Sequence, residues 1–343
     1  MRTAFGFNAL ATSVGLLLLA CRVTSSSASG DSLLPSDAST EPQGSDSGGL
    51  VDAATPTGLS DAKVPTSAEV VRIANLNCEN LFNDVIDSPG TIAGAEAEST
   101  PTPAAFQEKL RAVAAELAVL KGDVAMLQEI ENDATLANLQ ARAELGGLYK
   151  YRALVPGNDP RGIDVAVLSR FPVTVVSHKS ERIFPPGSST YYSYARDVVE
   201  AHIAGPSGEF VALGVHYRSQ INTVGLDDEA KRLAEANGTR AIVERLLAAN
   251  AALPLVVLGD FNDQPTSPPL TLLKGGNPLL VNVATELPAS EQWSISFGGT
   301  RRLYDMQWVA PAMWQRYVKG SAAFVRSPAS ASDHSGFAAS YKL

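Results

Sequence analysis

The chain has 343 residues, 45% of them hydrophobic, and a formal net charge of -9 at pH 7. This length suits one large domain or two small ones, and the composition excludes a disordered or fibrous protein. The acidic balance excludes attraction of a polyanion by net charge alone, so a bound cation or a local basic rim would have to supply it.

The N-terminus predicts export. Arg2 precedes an apolar run that is too short to span a bilayer, as in a signal peptide at residues 1–20. The run ends at Leu18-Leu19-Ala20-Cys21, which resembles the bacterial lipobox, so Cys21 is the expected lipidation site. The protein would then be lipid-anchored to the membrane of the bacterial cell envelope. A conventional signal peptide with an incidental cysteine is the alternative, and it would give a secreted protein.

A spacer and one globular domain are predicted after the lipidated cysteine. Residues 21–66 are rich in Ser, Asp, Gly, Thr and Pro, with too little apolar surface to offset the entropy of ordering. They predict a flexible linker. Residues 67–343 form the predicted domain, in which Cys78 is the only cysteine and is expected to be a buried free thiol.

Apolar periodicity predicts strands and helices in mixed order along this domain. The predicted strands cover residues 70–77, 123–129, 165–169, 173–177, 198–203, 210–216, 255–259, 303–310 and 337–341, and the predicted helices cover residues 106–120, 134–145 and 226–250. We expect a hairpin turn at Arg170-Phe171-Pro172 and an interruption of the last helix near Gly238. Hairpins mixed with strand–helix–strand units predict an α/β protein with packed mixed sheets and helices outside.

Polar residues lie where several predicted strands end: Asn77, Glu129, His216 and Asp260. Ends of strands meet at the rim of a sheet, so residues distant in sequence can share one site there. A carboxylate at a buried strand end is costly unless a cation compensates it. Glu129 therefore predicts a hard divalent ion, Mg2+ or Mn2+, with Asn77 and Asp333 as further ligands.

The run Gly259-Asp260-Phe261-Asn262 predicts hydrolytic chemistry. Its side chains at 260 and 262 point to the same side of the chain. Asp260 can orient or deprotonate an attacking water, and Asn262 can donate to a phosphate oxygen. An Asp/Asn turn that closes the strand is the alternative interpretation. Glu131, two residues after Glu129, is expected to be solvated.

Two of the four histidines are predicted to act on a phosphate. Asp305 is placed to hold the ring of His334 and raise its pKa. His216 ends its own strand, and two imidazoles would stabilise negative charge or protonate the leaving oxygen. The other two are assigned structural roles without polar neighbours: His178 and His202.

Arg196 is the predicted phosphate-binding cation, because a guanidinium can fork onto phosphate oxygens. An ion pair with Asp197 or Asp164 is the alternative. A wider groove of cations and rings would suit nucleic acid. Its candidates, which core packing could also explain, are Arg161, Arg182, Arg301, Arg302, Tyr191, Tyr192, Tyr194, Trp308 and Trp314.

Taken in order, these motifs resemble the endonuclease/exonuclease/phosphatase superfamily over about residues 69–343. The run Asn77-Cys78-Glu79-Asn80-Leu81-Phe82 is similar to the first-strand signature of its bacterial secreted branch. The later motifs are Gln128-Glu129, Arg161-Gly162-Ile163-Asp164-Val165-Ala166, Gly259-Asp260-Phe261-Asn262-Asp263 and Ser332-Asp333-His334. The sequence departs from the family pattern at Val215, Arg218 and Tyr304-Asp305.

The resemblance implies a four-layer α/β/β/α sandwich with the site where the two sheets open. It assigns Glu129 as the main ligand of one or two metal ions and Arg196 as the phosphate-binding arginine. The expected activity is hydrolysis of DNA or RNA by a monomer. A sphingomyelinase-like or other lipid or small-molecule phosphodiesterase is the alternative, with residues 184–187 and Tyr191-Tyr192 against a membrane. A surface-tethered binding module without catalysis is the third hypothesis.

Overall fold

The structure is a computed structural model, and it describes residues 69–87, 100–220, 227–276 and 279–343. The predicted signal peptide, Cys21 and the spacer lie outside these residues. Its strands are β1 (Val70–Leu81), β2 (Val124–Ile130), β3 (Tyr151–Leu154), β4 (Asp164–Ser169), β5 (Val173–Ser177), β6 (Val199–Gly205), β7 (Gly208–His216), β8 (Leu255–Asp260), β9 (Val281–Asn282), β10 (Ile295–Phe297), β11 (Thr300–Arg302), β12 (Asp305–Val309), β13 (Ala323–Val325) and β14 (Gly336–Lys342). Its α-helices are α1 (Pro103–Leu120), α2 (Asp133–Gln140), α3 (Asp228–Ala249), α4 (Pro268–Lys274) and α5 (Pro311–Trp314).

Two six-stranded sheets organise the described residues. The first has the order β13-β14-β1-β2-β4-β3, and the second has the order β5-β6-β7-β8-β12-β9. Each contains one parallel pair, β1 with β2 and β7 with β8. A parallel pair needs a crossover, which α1 supplies in the first sheet and α3 in the second. Strands β10 and β11 form a separate hairpin.

Alternate residues of β1 face two different cores. Val71 and Ile73 pack in a core that both sheets share, whereas Ala74 and Leu76 pack in a second core with residues of α1. This follows from the two-residue period of a strand. The sheets therefore pack on each other with helices flanking them, which confirms the predicted α/β sandwich of two mixed sheets.

Two predictions of local structure are wrong. The run Arg170-Phe171-Pro172 is not a hairpin turn, because β4 pairs with β2 and β3 while β5 pairs with β6 of the other sheet. Helix α3 continues through Gly238. A Cβ atom at Gly238 would lie 2.4 Å from Tyr194 Oη and 2.5 Å from Ile183, so this glycine serves close packing and does not break the helix.

The structure also tests the predicted surroundings of Glu131, of His178 and His202, and of Cys78. Glu131 is buried, not solvated, and it accepts hydrogen bonds from the backbone N–H of Asn83 at 2.7 Å and from the Thr135 hydroxyl at 3.1 Å. His178 and His202 do have polar neighbours, because the Nε2 of each ring donates to a Glu200 carboxylate oxygen, at 2.9 and 2.8 Å. As predicted, Cys78 is a buried free thiol.

Among the described residues, no helix is both long and apolar enough to cross a membrane.

Candidate active site

Three titratable side chains lie side by side where three inner strands of the second sheet, β7, β8 and β12, end or begin. The strand register places His216 of β7 opposite Asp260 of β8, and Asp260 opposite Asp305 of β12. Asn77 of β1 and Glu129 of β2 reach the same place from the first sheet. The packing of the sheets therefore brings five predicted residues from five strands to one site.

Asn77 bridges the two sheets. Its amide nitrogen donates to Asp260 Oδ2 at 3.0 Å and to Glu129 Oε1 at 3.2 Å. Its amide oxygen accepts the N–H of Glu79 at 2.9 Å. In this arrangement the Asn77 amide nitrogen lies between the two carboxylates and is bonded to both. To bind a metal ion, Asn77 would have to turn its amide oxygen toward the site.

Glu129 points into the site because the backbone of β2 is irregular there. The pairing of β2 with β4 shifts register between Gln128 and Ile130, and Glu129 has a φ of 63°. A bulge of this kind re-aims one side chain, and a left-handed conformation costs about 1–3 kcal/mol in a residue other than glycine. The N–H of Asn80 donates to Glu129 Oε2 at 2.7 Å, and the side chain stays 15% exposed, open to solvent and ligands.

Asp260 is held from several sides. The backbone N–H of Asn262 donates to Asp260 Oδ1 at 2.8 Å, and the Asn262 amide nitrogen lies 3.3 Å from Oδ2. The same amide nitrogen donates to the Tyr217 carbonyl at 3.0 Å. Gly259 allows the approach of β8 to β7, because a Cβ atom there would lie 2.1 Å from the Val215 carbonyl oxygen. Asn262, with a φ of 51°, therefore orients the carboxylate from a strained turn.

His334 is fixed by two contacts. Its Nδ1 lies 2.7 Å from Asp305 Oδ2. Its backbone N–H donates to the Ser332 hydroxyl at 3.0 Å, and that hydroxyl donates to the Asn77 carbonyl at 2.7 Å. The Nε2 atom is then left facing the site, 3.9 Å from Asp260 Oδ2. Ser332 belongs to the Ser-Asp-His motif, but its role as the link to β1 was not predicted.

The two histidines occupy opposite protonation states. Burial lowers the pKa of His216 well below its usual value, and the charges of Arg196 and His334 lower it further. Burial alone would lower the pKa of His334 too, but the Asp305 and Asp260 carboxylates outweigh it and raise the pKa to about 10. At neutral pH a neutral and a cationic imidazole thus flank Asp260. Environments that separate pKa values in this way are typical of acid–base sites.

Burial raises the pKa of Asp260 to about 7, against the opposing charge of His334. His216 Nε2 lies 3.6 Å from Asp260 Oδ2 and 3.7 Å from Glu129 Oε1, so neither contact is a hydrogen bond. Asp260 therefore takes its hydrogen bonds from Asn77 and Asn262 and none from the histidines. It is suited to take a proton or to lie near a cation.

The donor set fits a hard divalent ion. The carboxylate oxygens of Asp260 and Asp305 lie within 4.8 Å of each other and of a ring nitrogen of His334, and Asp305 Oδ1 is buried without a hydrogen-bond partner. Glu129 adds a more open carboxylate. Asp333, a predicted ligand, is 57% exposed, with Oδ1 3.9 Å from His334 Nε2. Oxygen ligands in this number are what Mg2+ and Mn2+ prefer.

Arg196 is buried beside the site and pairs with an unpredicted partner. Its Nη2 lies 2.8 Å from Asp159 Oδ2, so the alternative pairing with Asp197 or Asp164 is wrong. Arg161 also pairs with Asp159, at 3.2 Å. The Nε of Arg196 is buried without a hydrogen-bond partner, and its positive charge acts on His216. The Arg196 guanidinium is therefore held by Asp159, and its charge acts on His216 of the site.

A cavity of about 310 Å3 opens next to His334. It is lined by Glu79, Trp293, Ser296, Arg326, Asp333 and His334, among others. The Arg326 guanidinium carbon lies 3.7 Å from the centre of the Trp293 ring, and that of Arg301 lies 4.6 Å away. Trp293 and Arg326 were not predicted; the half-exposed ring and its cations become neighbours only in the fold.

The predicted groove residues are only partly at this surface. Trp308 and Tyr194 are buried in the core that the sheets share. Trp314 stacks on Tyr317. Arg182 and Tyr191 are exposed and contact each other, with the guanidinium carbon 4.7 Å from the ring centre, and Arg301 is exposed beside Trp293.

Comparisons with known proteins agree with this architecture. The sequence profile of the Endonuclease/Exonuclease/phosphatase family matches residues 72–310. The comparison with curated proteins finds no match.

Three solved structures similar to this chain illustrate the fold. D. rerio TDP2 complexed with single strand DNA product has a TM-score of 0.52 and 16% identity, covering 80% of this chain and 99% of that chain. The human Nocturnin catalytic domain with bound sulfate anion has a TM-score of 0.51 and 16% identity, and the match covers 79% of this chain and 94% of that chain. An endonuclease/exonuclease/phosphatase from Beutenbergia cavernae has a TM-score of 0.52 and 16% identity, and the match covers 80% of this chain and 72% of that chain.

Proposed function

Since the chain belongs to the endonuclease/exonuclease/phosphatase family, we propose that it is a divalent-metal-dependent phosphodiesterase that hydrolyses DNA or RNA. Members of this family are phosphoester hydrolases, mostly metal-dependent. The observation that carries the proposal is the placement of Asp260 between a neutral His216 and a cationic His334, opposite the open carboxylate of Glu129. Such a site can activate water and stabilise a phosphoryl group together.

The proposed reaction is attack of water on phosphorus. Asp260, oriented by Asn262, accepts a proton from the water as its oxygen bonds to phosphorus. His334 places its positive charge against the developing negative charge and can return a proton to the leaving ester oxygen. His216, being neutral, can donate a hydrogen bond to a phosphate oxygen, and Arg196 adds a nearby positive charge.

Glu129 and Asp333 would hold the metal ion through their carboxylate oxygens. A bound Mg2+ or Mn2+ neutralises phosphate charge and lowers the pKa of water. Asn262 would contact the phosphate only by exchanging its weaker bond to Asp260 Oδ2, which is 3.3 Å long.

Nucleic acid is favoured as the substrate class by the cavity beside His334. Arg326 lines this cavity and lies against Trp293, so a cation for a phosphate and an aromatic ring for a base are neighbours there. The positive charge of Arg326 disfavours choline at this ring, because a quaternary ammonium group would have to bind beside a like charge. The similar TDP2 structure holds a single strand DNA product, and this is consistent with the proposal.

A lipid phosphodiester is the second candidate, and one observation favours it. Phe184 and Tyr191 are exposed and contact each other, with ring centroids 6.2 Å apart. Exposed aromatic pairs of this kind occur at membrane interfaces. Both residues belong to the segments 184–187 and Tyr191-Tyr192, for which the sequence predicts contact with a membrane in the lipid alternative.

Export, the lipid anchor at Cys21 and a monomeric state are part of the proposal, and the sequence alone supports them. Expression in a bacterial host with labelled fatty acid should label the protein, and Cys21→Ser should remove the label. An unlabelled protein in the culture medium would favour the conventional signal peptide.

The experiment that tests the activity is incubation of the purified protein with plasmid DNA and Mg2+ or Mn2+. Nicking that EDTA and His334→Ala both abolish would support the nuclease. Intact plasmid with turnover of a choline phospholipid would support the lipid candidate. Failure on both, and on a small aryl phosphodiester, would favour a binding module without catalysis.

A further inference from the structure

Helix α3 carries a buried carboxylate with no part in the reaction described above. Glu235 is 1% exposed, and its two oxygens accept two backbone N–H groups from different loops. Oε1 accepts from Ala195 at 2.7 Å, and Oε2 accepts from Arg218 at 2.7 Å. A buried carboxylate is costly unless it is hydrogen-bonded, and these two bonds meet that need.

The two loops tied by Glu235 each carry a site residue. Ala195 directly precedes Arg196, and Arg218 follows His216 by two residues. Glu235 therefore sets the separation between the phosphate-binding cation and the neutral imidazole, which lie on separate segments of the chain.

Arg232, one turn earlier on α3, ties a third loop to the second. Its Nε lies 3.2 Å from Asp263 Oδ2, and its Nη1 donates to the Ser219 carbonyl at 3.0 Å. Asp263 follows Asp260 by three residues. Both side chains lie on one face of the helix, because they are three residues apart.

We propose that Glu235 and Arg232 are positioning residues, which hold the loops of Arg196, His216 and Asp260 at the spacing that phosphodiester hydrolysis requires. The inference rests on the proposed function for its effect on turnover, but not for its effect on the loops. An apolar residue would fill the space under these loops at lower cost than a buried charge. Neither residue touches Asn77 or Glu129, so the predicted metal ligands on the first sheet are held independently.

The test compares Glu235→Gln with Val243→Ala, a buried core change on the same helix that contacts no site loop through a polar group. A glutamine keeps the shape but has only one oxygen acceptor, so one loop is released. We expect kcat/KM to fall by about 10- to 100-fold, since small misplacements of catalytic groups have effects of this size. The half-saturating metal concentration should stay within about twofold, as no metal ligand moves.

Hydrogen exchange provides a measurement that needs no substrate. In Glu235→Gln the backbone amide that faces the new NH2 group, that of Ala195 or that of Arg218, should exchange at least about tenfold faster, while that of Asn80, held by Glu129, should not change. Unchanged exchange at both amides would overturn the proposal even if the protein had no hydrolase activity. The proposal would also be overturned if Glu235→Gln turned over substrate as fast as Val243→Ala, or if Glu235→Gln lost metal affinity in parallel with its turnover. Should Glu235→Gln fail to fold, Arg232→Gln tests the same clamp through the loops of Asp263 and Ser219.

Discussion

A 2.7 Å hydrogen bond between His334 Nδ1 and Asp305 Oδ2 joins the two sheets at the site. Asp305 begins β12 of the second sheet, whereas His334 lies just before β14 of the first. The position of the His334 imidazole therefore depends on the packing of one sheet against the other.

We expect Asp305→Asn to lower kcat by about 10,000-fold while KM changes little. The amide keeps a hydrogen-bonding group at Nδ1 but removes the charge that stabilises the imidazolium, and the same change in a Ser-His-Asp triad has an effect of about this size. Steady-state kinetics with a small phosphodiester would measure it. A variant with more than half the wild-type kcat would contradict the assigned role of Asp305.

Asp260→Asn should abolish activity and leave the protein equally or more stable. Asp260 is buried, and burial raises its pKa to about 7, which means that its charge is held at an energetic cost in the folded protein. Removal of that charge should not lower the melting temperature, while loss of the base should cost at least about 100-fold in kcat. Calorimetry and kinetics on the same sample check both; a less stable, active variant would refute the prediction.

Glu129→Gln should raise the metal concentration that gives half-maximal activity, by about tenfold or more, because an amide is a poorer ligand than a carboxylate. The matched control is Glu131→Gln, the same chemical change two residues away. Glu131 is buried and bonded to Asn83 and Thr135, so its variant should lose stability but keep the metal dependence. Equal metal titrations for Glu129→Gln and wild type would exclude Glu129 as a ligand.

Trp293→Ala should raise KM for single-stranded DNA by about tenfold, because stacking of one base contributes about 1–3 kcal/mol. Turnover of a small aryl phosphodiester should change less than about twofold, since it does not reach the cavity. Trp314→Ala is the control, because Trp314 stacks on Tyr317 and does not line this cavity. Equal effects on both substrates would argue against a base-binding role.

Glu200→Gln should destabilise the protein more at pH 5.5 than at pH 9.5. Burial would raise the pKa of Glu200, but His178, His202 and Arg245 outweigh it and lower the pKa to about 2. Burial lowers the histidine pKa values, but hydrogen bonds to Glu200 dominate and raise both above the usual value.

The sign of this pH dependence follows from those shifts. The histidines contribute stability that is complete below their unfolded pKa of about 6.5 and is lost as pH rises through their folded values. The contribution of Glu200 is lost only as pH falls toward 2. Thermal unfolding should show a decrease of about 5 °C or more at pH 5.5 and a smaller one at pH 9.5. An equal decrease at both pH values would refute the prediction.

Local patterns were sufficient for much of the fold and for the residues at the site. Alternating and continuous apolar runs marked the strands, and α/β layering followed from their order. Asn77, Glu129, His216 and Asp260 were recognisable because a polar residue at the end of an apolar strand is unusual. The pairing of β4 and β5 was mispredicted, because two adjacent strands joined by three residues resemble a hairpin even when they belong to different sheets.

The sequence by itself determined the family, the α/β class and the residue types that converge at the strand ends, because motifs and periodicity are local properties of the chain. Only the tertiary structure decided how those residues are held: Asn77 between two carboxylates, Arg196 on Asp159, and Glu235 under two loops. These contacts join segments far apart in sequence. A buried polar side chain takes whichever partner the packing brings within hydrogen-bonding distance, and no local pattern identifies that partner.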